Sequence, residues 1–240
     1  MNNEHLHVKV EEGVGTLRLI KANEYNFPGT NYRLDSTQAV IDLVLSKGKK
    51  DNTVIFYDEN IPEIQIILDD SIMDRPQDKA FYPFRYSDLF SEWAKLFDTP
   101  VNQKQFIDFL KRRDVVECPE AETLLVTTQR LRLAQQIIGE YSYDDNNNIT
   151  CMFKTKTGED IAKLPSVFTI HVPIFNKSDN VMDIEVEMEL TIPKTENEKP
   201  LFMLSCPKLP RYKKQAVAYE INVLQKRLPG FLIIPGALKN

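Results

Sequence analysis

Apolar and polar residues alternate most regularly between residues 163 and 207. Apolar side chains occupy the even positions of 168–174 and, after a short polar segment, those of 182–192. A strict period of two is typical of a strand that buries one face and exposes the other. A third apolar run follows at 201–205. These runs, joined by polar connections, predict an antiparallel β-meander in the C-terminal half of the chain.

The last helix is predicted at 210–228, directly after this meander. Its apolar residues Val217, Ile221, Leu224 and Leu228 follow one another at intervals of four, three and four. That spacing places them on one face of a helix. A face this broad is expected to pack against the sheet, so we interpret the helix as a structural element.

The first half of the chain predicts a helix and a pair of strands. The helix is capped near Ser36 and ends at Gly48, where the apolar pattern stops. Two apolar runs at 53–57 and 63–68 then predict a β-pair with a short turn between them. Residues 69–83 are acidic and contain prolines, so we interpret them as a linker.

The middle of the chain is predicted to be helical. Short helices are expected at 86–97 and 104–113, and a third helix is expected to begin near Pro119, a residue favoured in the first helical turn. A strand at 149–156 leads into the meander. At the end of the chain, the apolar run 231–234 predicts a short buried strand.

Together these elements predict an α+β protein with a small N-terminal α/β segment, a helical middle, and a C-terminal antiparallel meander packed by a terminal helix. We divide the chain into an N-terminal extension (1–34), a small α/β segment (35–80) and a main α+β domain (81–240), with one continuous domain as the alternative. A chain of 240 residues, of which 42% are hydrophobic, is long enough to bury such a core.

Composition narrows the classes of protein that fit. The net charge of -5 argues against a protein that coats nucleic acid with its whole surface, although a local basic groove remains compatible with it. The cysteines are Cys118, Cys151 and Cys206; their odd number and wide spacing favour a reducing compartment and offer no zinc motif. No apolar run approaches the roughly 20 residues that cross a bilayer. We therefore expect no membrane association and a cytoplasmic location.

The predicted strand at 182–192 carries a row of acids on its polar face. The acid row consists of Asp183, Glu185, Glu187 and Glu189. Carboxylates two residues apart share a strand face, and such clusters hold Mg²⁺ in nucleases. A restriction-like nuclease also needs a lysine two residues beyond its second acid, which this strand lacks. We favour a solvated sheet face or a sheet edge that its charges guard against aggregation, and we predict no catalytic residue, no metal ligand and no cofactor.

Basic residues gather at the start of the predicted last helix. They interleave with a tyrosine, and the residues that we predict to bind nucleic acid or a partner are Lys208, Arg211, Tyr212, Lys213 and Lys214. Tyr219, Lys226 and Arg227 follow further along the same helix. Basic side chains between aromatic ones can hold a single strand through phosphate contacts and stacking. A solvated helix face has the same sequence pattern, so that alternative stays open.

The order of several motifs resembles a known family. The sequence QFIDFL at 105–110 is followed by EAETLL at 120–125 and by LPSVFTIHVPIF at 164–175. A charged alternating strand and a closing helix before LIIPG at 232–236 complete the order. This arrangement, over about 36–238, resembles the YfdQ-like family of phages and prophages, a domain of unknown function. The resemblance implies a phage-type gene product of the host bacterial cytoplasm, and it supplies no catalytic residues.

The sequence thus leaves three hypotheses of function. The first is a non-enzymatic phage or prophage accessory protein that acts by binding, in phage DNA replication or recombination. The second is a counter-defence protein that binds a host immune protein or its nucleotide signal. The third is a metal-dependent nuclease that uses the acid row. Expected partners are a phage or host protein and single-stranded nucleic acid, and the oligomeric state stays open.

Overall fold

A computed structural model describes most of the chain: residues 8–9, 18–19, 29–58, 60–71, 77–132, 136–143, 148–155, 158–191 and 200–238. The helices of this part are α1 (Thr37–Lys47), α2 (Asp88–Ala94), α3 (Gln103–Leu110), α4 (Ala121–Arg132) and α5 (Leu209–Arg227). The strands are β1 (Val8–Lys9), β2 (Arg18–Leu19), β3 (Asn31–Arg33), β4 (Val54–Asp58), β5 (Glu63–Ile67), β6 (Lys79–Pro83), β7 (Val101–Asn102), β8 (Gln136–Tyr143), β9 (Asn148–Thr155), β10 (Gly158–Pro165), β11 (Val167–Pro173), β12 (Val181–Thr191), β13 (Leu201–Ser205) and β14 (Leu232–Pro235). Helices beside mostly antiparallel sheets confirm the α+β class.

The predicted C-terminal meander is present as β11, β12 and β13, which pair antiparallel in chain order, with β7 added at the edge. The alternation along β12 also holds, because Ile184, Val186, Met188 and Leu190 are all buried. Helix α5 packs against β12. The meander and the helix that covers it are therefore confirmed.

A mixed sheet of five strands, in the order β14-β4-β5-β6-β3, forms the other large layer. The predicted β-pair is confirmed as the antiparallel β4 and β5. Helix α1 begins where predicted, since the Ser36 hydroxyl accepts a hydrogen bond from the backbone N–H of Ala39, and Gly48 is its C-cap. Strand β14 pairs parallel to β4, so the end of the described chain joins the predicted N-terminal segment.

Two predictions about this sheet were wrong. Part of the predicted linker, Lys79–Pro83, is strand β6, which lies between β5 and β3 and buries Ala80 and Tyr82; residues 72–76 lie outside the described residues. The last strand is not buried, because β14 is an edge strand and Leu232 exposes 52% of its surface. The N-terminal extension lies mostly outside the described residues, and the domain boundaries at 34 and 80 stay predictions.

A third sheet, in the order β10-β9-β8, stands before the meander in the chain. Only β9 was predicted in full, and β10 was missed. Helix α4 packs against this sheet, on the face where Ile149, Cys151, Ala162 and Leu164 are buried. Helix α4 turns Ala121, Leu124 and Leu131 into the core, where all three are buried.

Aromatic rings fill the centre of the core. Trp93 meets Phe109 edge-on at 4.7 Å between ring centroids, and Phe106 stacks on Phe202 at 4.8 Å. The same buried cluster contains Val40 of α1, so the five-stranded sheet and the meander contribute to one core. None of the described helices is both long and apolar enough to span a bilayer.

Candidate nucleic-acid interface

Helix α5 separates its charges by face. Its 19 residues span about 28 Å at the usual rise per residue. Its only acid, Glu220, is buried with Ala216, Val217, Ile221 and Leu224 on the face that packs inward. The opposite face is exposed and contains Arg211, Lys214, Gln215, Ala218, Tyr219, Asn222 and Gln225. This exposed face therefore has cations and neutral polar groups but no carboxylate.

Buried Glu220 fixes the position of α5 against its neighbours. One carboxylate oxygen accepts a hydrogen bond from Thr37 Oγ1 at 2.5 Å, and the other accepts one from Ser178 Oγ at 2.5 Å. Thr37 opens helix α1, and Ser178 lies in the turn between β11 and β12. The carboxylate thus links three segments of the fold through hydrogen bonds to hydroxyl groups.

Two of the predicted binding residues, Lys208 and Tyr212, form hydrogen bonds with the meander. Lys208 Nζ donates to Glu185 Oε1 at 2.6 Å, and this hydrogen bond raises the pKa of Lys208. The Tyr212 hydroxyl accepts from the backbone N–H of Glu185 at 3.3 Å, and its ring is half-buried against the core. These two residues tie the start of α5 to β12.

A third predicted residue, Lys213, points to an aromatic ring from another part of the chain. Its Nζ lies 4.9 Å from the ring centroid of Tyr86, within the range of a cation–π contact. Tyr86 in turn is held by Phe90, edge-on at 5.1 Å, and by Phe175, parallel at 6.2 Å. Sequence reasoning missed this contact, because no local pattern links residue 86 to residue 213.

The remaining two predicted residues, Arg211 and Lys214, are exposed and share one side of the helix because they are three residues apart. Within the described part of the chain neither forms an ion pair. Helix dipoles disfavour cations near the N-terminus, so the stability of α5 does not explain their position. Tyr219 is 38% exposed and lies about two turns beyond Arg211. We call Arg211, Lys214 and Tyr219 the α5 surface.

The acid row lies on the strand next to this helix, and two of its members are paired. Asp183 Oδ1 lies 2.6 Å from His171 Nδ1, its cross-strand neighbour, and Glu185 holds Lys208. Glu187 and Glu189 are exposed. Among the described residues, no group of three or more His, Cys, Asp or Glu side chains is placed to hold a metal ion.

The acid row is expected to have no nuclease activity, because Asp183 and Glu185 are directed to basic neighbours and not to a common point. Purified protein should leave single- and double-stranded DNA intact in Mg²⁺ or Mn²⁺ over a time course on denaturing gels. Cleavage that disappears in Glu185→Ala or Glu187→Ala would show that the acid row is catalytic. Lys208→Gln serves as the control that removes only the partner of Glu185.

The cysteines do not add a nucleophile to this surface. Cys118, Cys151 and Cys206 are free and buried. Burial raises the pKa of Cys118 to about 12 and those of Cys151 and Cys206 to about 11. At neutral pH they are thiols, and thiols are much weaker nucleophiles than thiolates.

The fold and the α5 surface define an α+β protein with a basic, exposed face on its last helix. Residues 20–228 match the family described as "Uncharacterized conserved protein (DUF2303)", and the chain belongs to that family. The match supports the predicted domain of unknown function. The description of the family gives neither the YfdQ-like name nor a phage origin. Comparison with curated proteins and with solved structures gives no match.

Proposed function

We propose that the protein acts by binding single-stranded nucleic acid along the α5 surface. The observation that carries this proposal is the exposed face of α5, where Arg211, Lys214 and Tyr219 stand without a carboxylate in a protein of net charge -5. Arginine and lysine contact phosphates, and an exposed ring offers a platform on which a base can stack. Lys213 is directed to the Tyr86 ring and away from this face, so it is not counted as part of the α5 surface.

The biological setting is part of the same proposal. The order of motifs that resembles the YfdQ-like family supports a phage or prophage accessory protein in the cytoplasm of its bacterial host. A protein that binds single strands without cutting them fits DNA replication or recombination, where such strands are exposed. A phage or host protein that works on the same strand is the expected partner.

Binding is expected to weaken steeply with salt, because phosphate contacts release counterions. A fluorescence-polarisation titration of labelled oligo(dT) across a salt series measures the slope of log K against log salt. The double variant Arg211→Gln/Lys214→Gln should reduce that slope by about 1.4, at roughly 0.7 for each lost contact to a single strand. Tyr219→Ala should weaken binding by roughly 1–3 kcal/mol with little change in slope.

The matched control is Lys111→Gln/Arg112→Gln, which removes two exposed positive charges at the end of α3. It should keep the wild-type slope within error. An equal loss of slope in both doubles would show that net charge, and not the α5 surface, drives association. Absence of binding even at low salt would exclude the proposal and would favour the counter-defence hypothesis, in which the protein binds a host immune protein or its nucleotide signal.

A further inference from the structure

A second group of basic residues lies at the far end of α5. It comes from two segments that are distant in sequence, the end of α1 and the last turn of α5, and it consists of Lys47, Lys49, Lys50, Lys226 and Arg227. All five side chains are exposed. Only the last two belong to the helix that carries the α5 surface, so the fold is what assembles the group.

Packing between the two helices brings these segments together. Thr37 at the start of α1 bonds to Glu220 in the middle of α5, and Gly48 at the end of α1 lies against Phe231 just beyond α5. The helices therefore run in the same direction, and their C-terminal ends meet. Lys50 crosses to the turn after α5, where a Cβ on Gly230 would stand 3.5 Å from Lys50 Cδ.

The charges of this group are only partly neutralised. Lys49 pairs with Asp69 at 2.8 Å, and Lys47 donates to the Tyr32 hydroxyl at 2.6 Å. Asp51 is an exposed acid in the same turn. The other three residues, Lys50, Lys226 and Arg227, form no ion pair within the described part of the chain. We call Lys50, Lys226 and Arg227 the distal patch.

The surface between the α5 surface and the distal patch is compatible with a nucleic-acid strand that contacts both. The exposed side of α5 from Lys214 to Lys226 presents Tyr219, Asn222 and Gln225, and it has no carboxylate that would repel phosphates. Arg211 and Arg227, one in each group, are sixteen residues apart, which is about 24 Å at the usual helical rise. At about 3.4 Å per stacked nucleotide, roughly seven nucleotides cover that length.

We infer that the distal patch is a second phosphate-binding site, so that one single strand lies along α5 and contacts protein at both ends of the helix. This inference rests on the proposed function, to which it adds a ligand length and a second set of contacts. Helix dipoles also favour cations at C-terminal ends, which accounts for Lys226 and Arg227 as stabilising residues. The same effect extends to Lys50, which lies just beyond the end of α1 and against Gly230 after α5, so the length dependence of binding is what separates a ligand site from helix stabilisation.

The test is the dependence of affinity on oligonucleotide length. Labelled oligo(dT) of 5, 10, 15 and 20 nucleotides is titrated by polarisation at one fixed low salt concentration. Wild-type protein is expected to gain tenfold or more in affinity between 5 and 15 nucleotides, because only the longer strands reach both sites. The triple variant Lys50→Gln/Lys226→Gln/Arg227→Gln should lose most of that gain and bind the 5-nucleotide strand within twofold of wild type.

Two further variants keep the result interpretable. Lys104→Gln/Lys111→Gln/Arg112→Gln removes three exposed charges on and after α3 and should keep the full gain with length. Lys50→Glu alone lies outside both helices and should lose several-fold on the 15-nucleotide strand only. If the triple variant keeps the gain, or weakens all lengths equally, the distal patch is not a second site while short-strand binding still supports the proposed function. If wild type binds no strand of any length, the proposed function itself fails.

Discussion

Replacing Arg113 by Met is expected to lower the free energy of unfolding by about 3–5 kcal/mol, the usual cost of removing one partner from a buried ion pair. The Arg113 side chain is only 3% exposed and forms ion pairs with Glu117 and Glu92. Glu117 is itself 8% exposed. Without the guanidinium, its carboxylate keeps its burial but loses its counter-ion, and either it takes up a proton or the surrounding loop opens.

The geometry around Arg113 shows why the loss is large. Arg113 Nη1 and Trp93 Nε1 both donate to Glu117 Oε1, at 2.8 and 2.6 Å. The guanidinium also lies 4.5 Å from the ring centroid of Phe109. Burial disfavours the charged form, but the hydrogen bonds with Glu117 and Glu92 outweigh it, and the pKa of Arg113 is raised. The Glu117 carbonyl accepts from the His171 N–H at 2.7 Å, so this cluster also fixes the loop to the edge of β11.

Thermal and denaturant unfolding measure the effect, and a loss of this size corresponds to a fall in Tm of roughly 10 °C for a chain of this length. Arg112→Met changes the exposed neighbour and should stay within about 0.5 kcal/mol of wild type. Arg113→Met/Glu117→Gln should recover part of the loss, because the amide oxygen still accepts from Trp93 and no charge stays buried. An unchanged Tm for Arg113→Met would mean that the buried pair adds no net stability.

The meander was predictable because burial on one face leaves a strict alternation in the sequence. Along β12, each buried residue such as Ile184 or Val186 is followed by a polar one, so the period of two is visible without any tertiary information. Helix α5 was predictable for a related reason, since its buried residues Val217, Ile221 and Leu224 recur at helical intervals. An element that buries one face and exposes the other can therefore be predicted from the period of its apolar residues.

The elements that were mispredicted lack that contrast. In strand β6 the partly buried Lys79 and Phe81 alternate with the buried Ala80 and Tyr82, so neither face is fully exposed to water. The strand also ends at a proline, a residue that is typical of linkers. In β10 the exposed Ile161 directly precedes the buried Ala162. Because both residues are apolar, the sequence shows no alternation of apolar and polar residues there. Strand β14 has an apolar run typical of a buried strand, yet its place at the edge of the sheet leaves it half-exposed. The position of a strand in its sheet depends on the strands that pair with it, and these come from distant parts of the sequence.

The candidate site was predictable as a stretch of sequence but not as a surface. The residues from 208 to 214 look like one basic cluster, yet successive residues of a helix point about 100° apart. Lys208 and Tyr212 therefore reach β12, Lys213 reaches Tyr86, and only Arg211 and Lys214 face solvent freely. The distal patch joins α1 to α5 through tertiary packing, and no spacing rule links Lys50 to Lys226.

Replacing Ile221 by Asp is expected to cost roughly 3 kcal/mol or more in the free energy of unfolding. Ile221 is 5% exposed on the face of α5 that also buries Val217 and Leu224. An aspartate there would place a carboxyl group in an apolar contact next to the buried Glu220, so it would have to stay neutral or loosen the helix. Denaturant unfolding followed by circular dichroism measures the loss.

The neighbouring residue supplies a control with the same chemistry on the other face. Asn222 is exposed, and Asn222→Asp should change stability by no more than about 0.5 kcal/mol. Ile221→Val, which removes one methylene from the contact, should cost about 0.5–1.5 kcal/mol. Equal stability of Ile221→Asp and Asn222→Asp would mean that this face of α5 is open in solution and is covered by a partner instead of by the meander. The graded order of Asp, Val and wild type at residue 221 would instead establish that α5 is packed as the structure shows, with its basic face left available for a ligand.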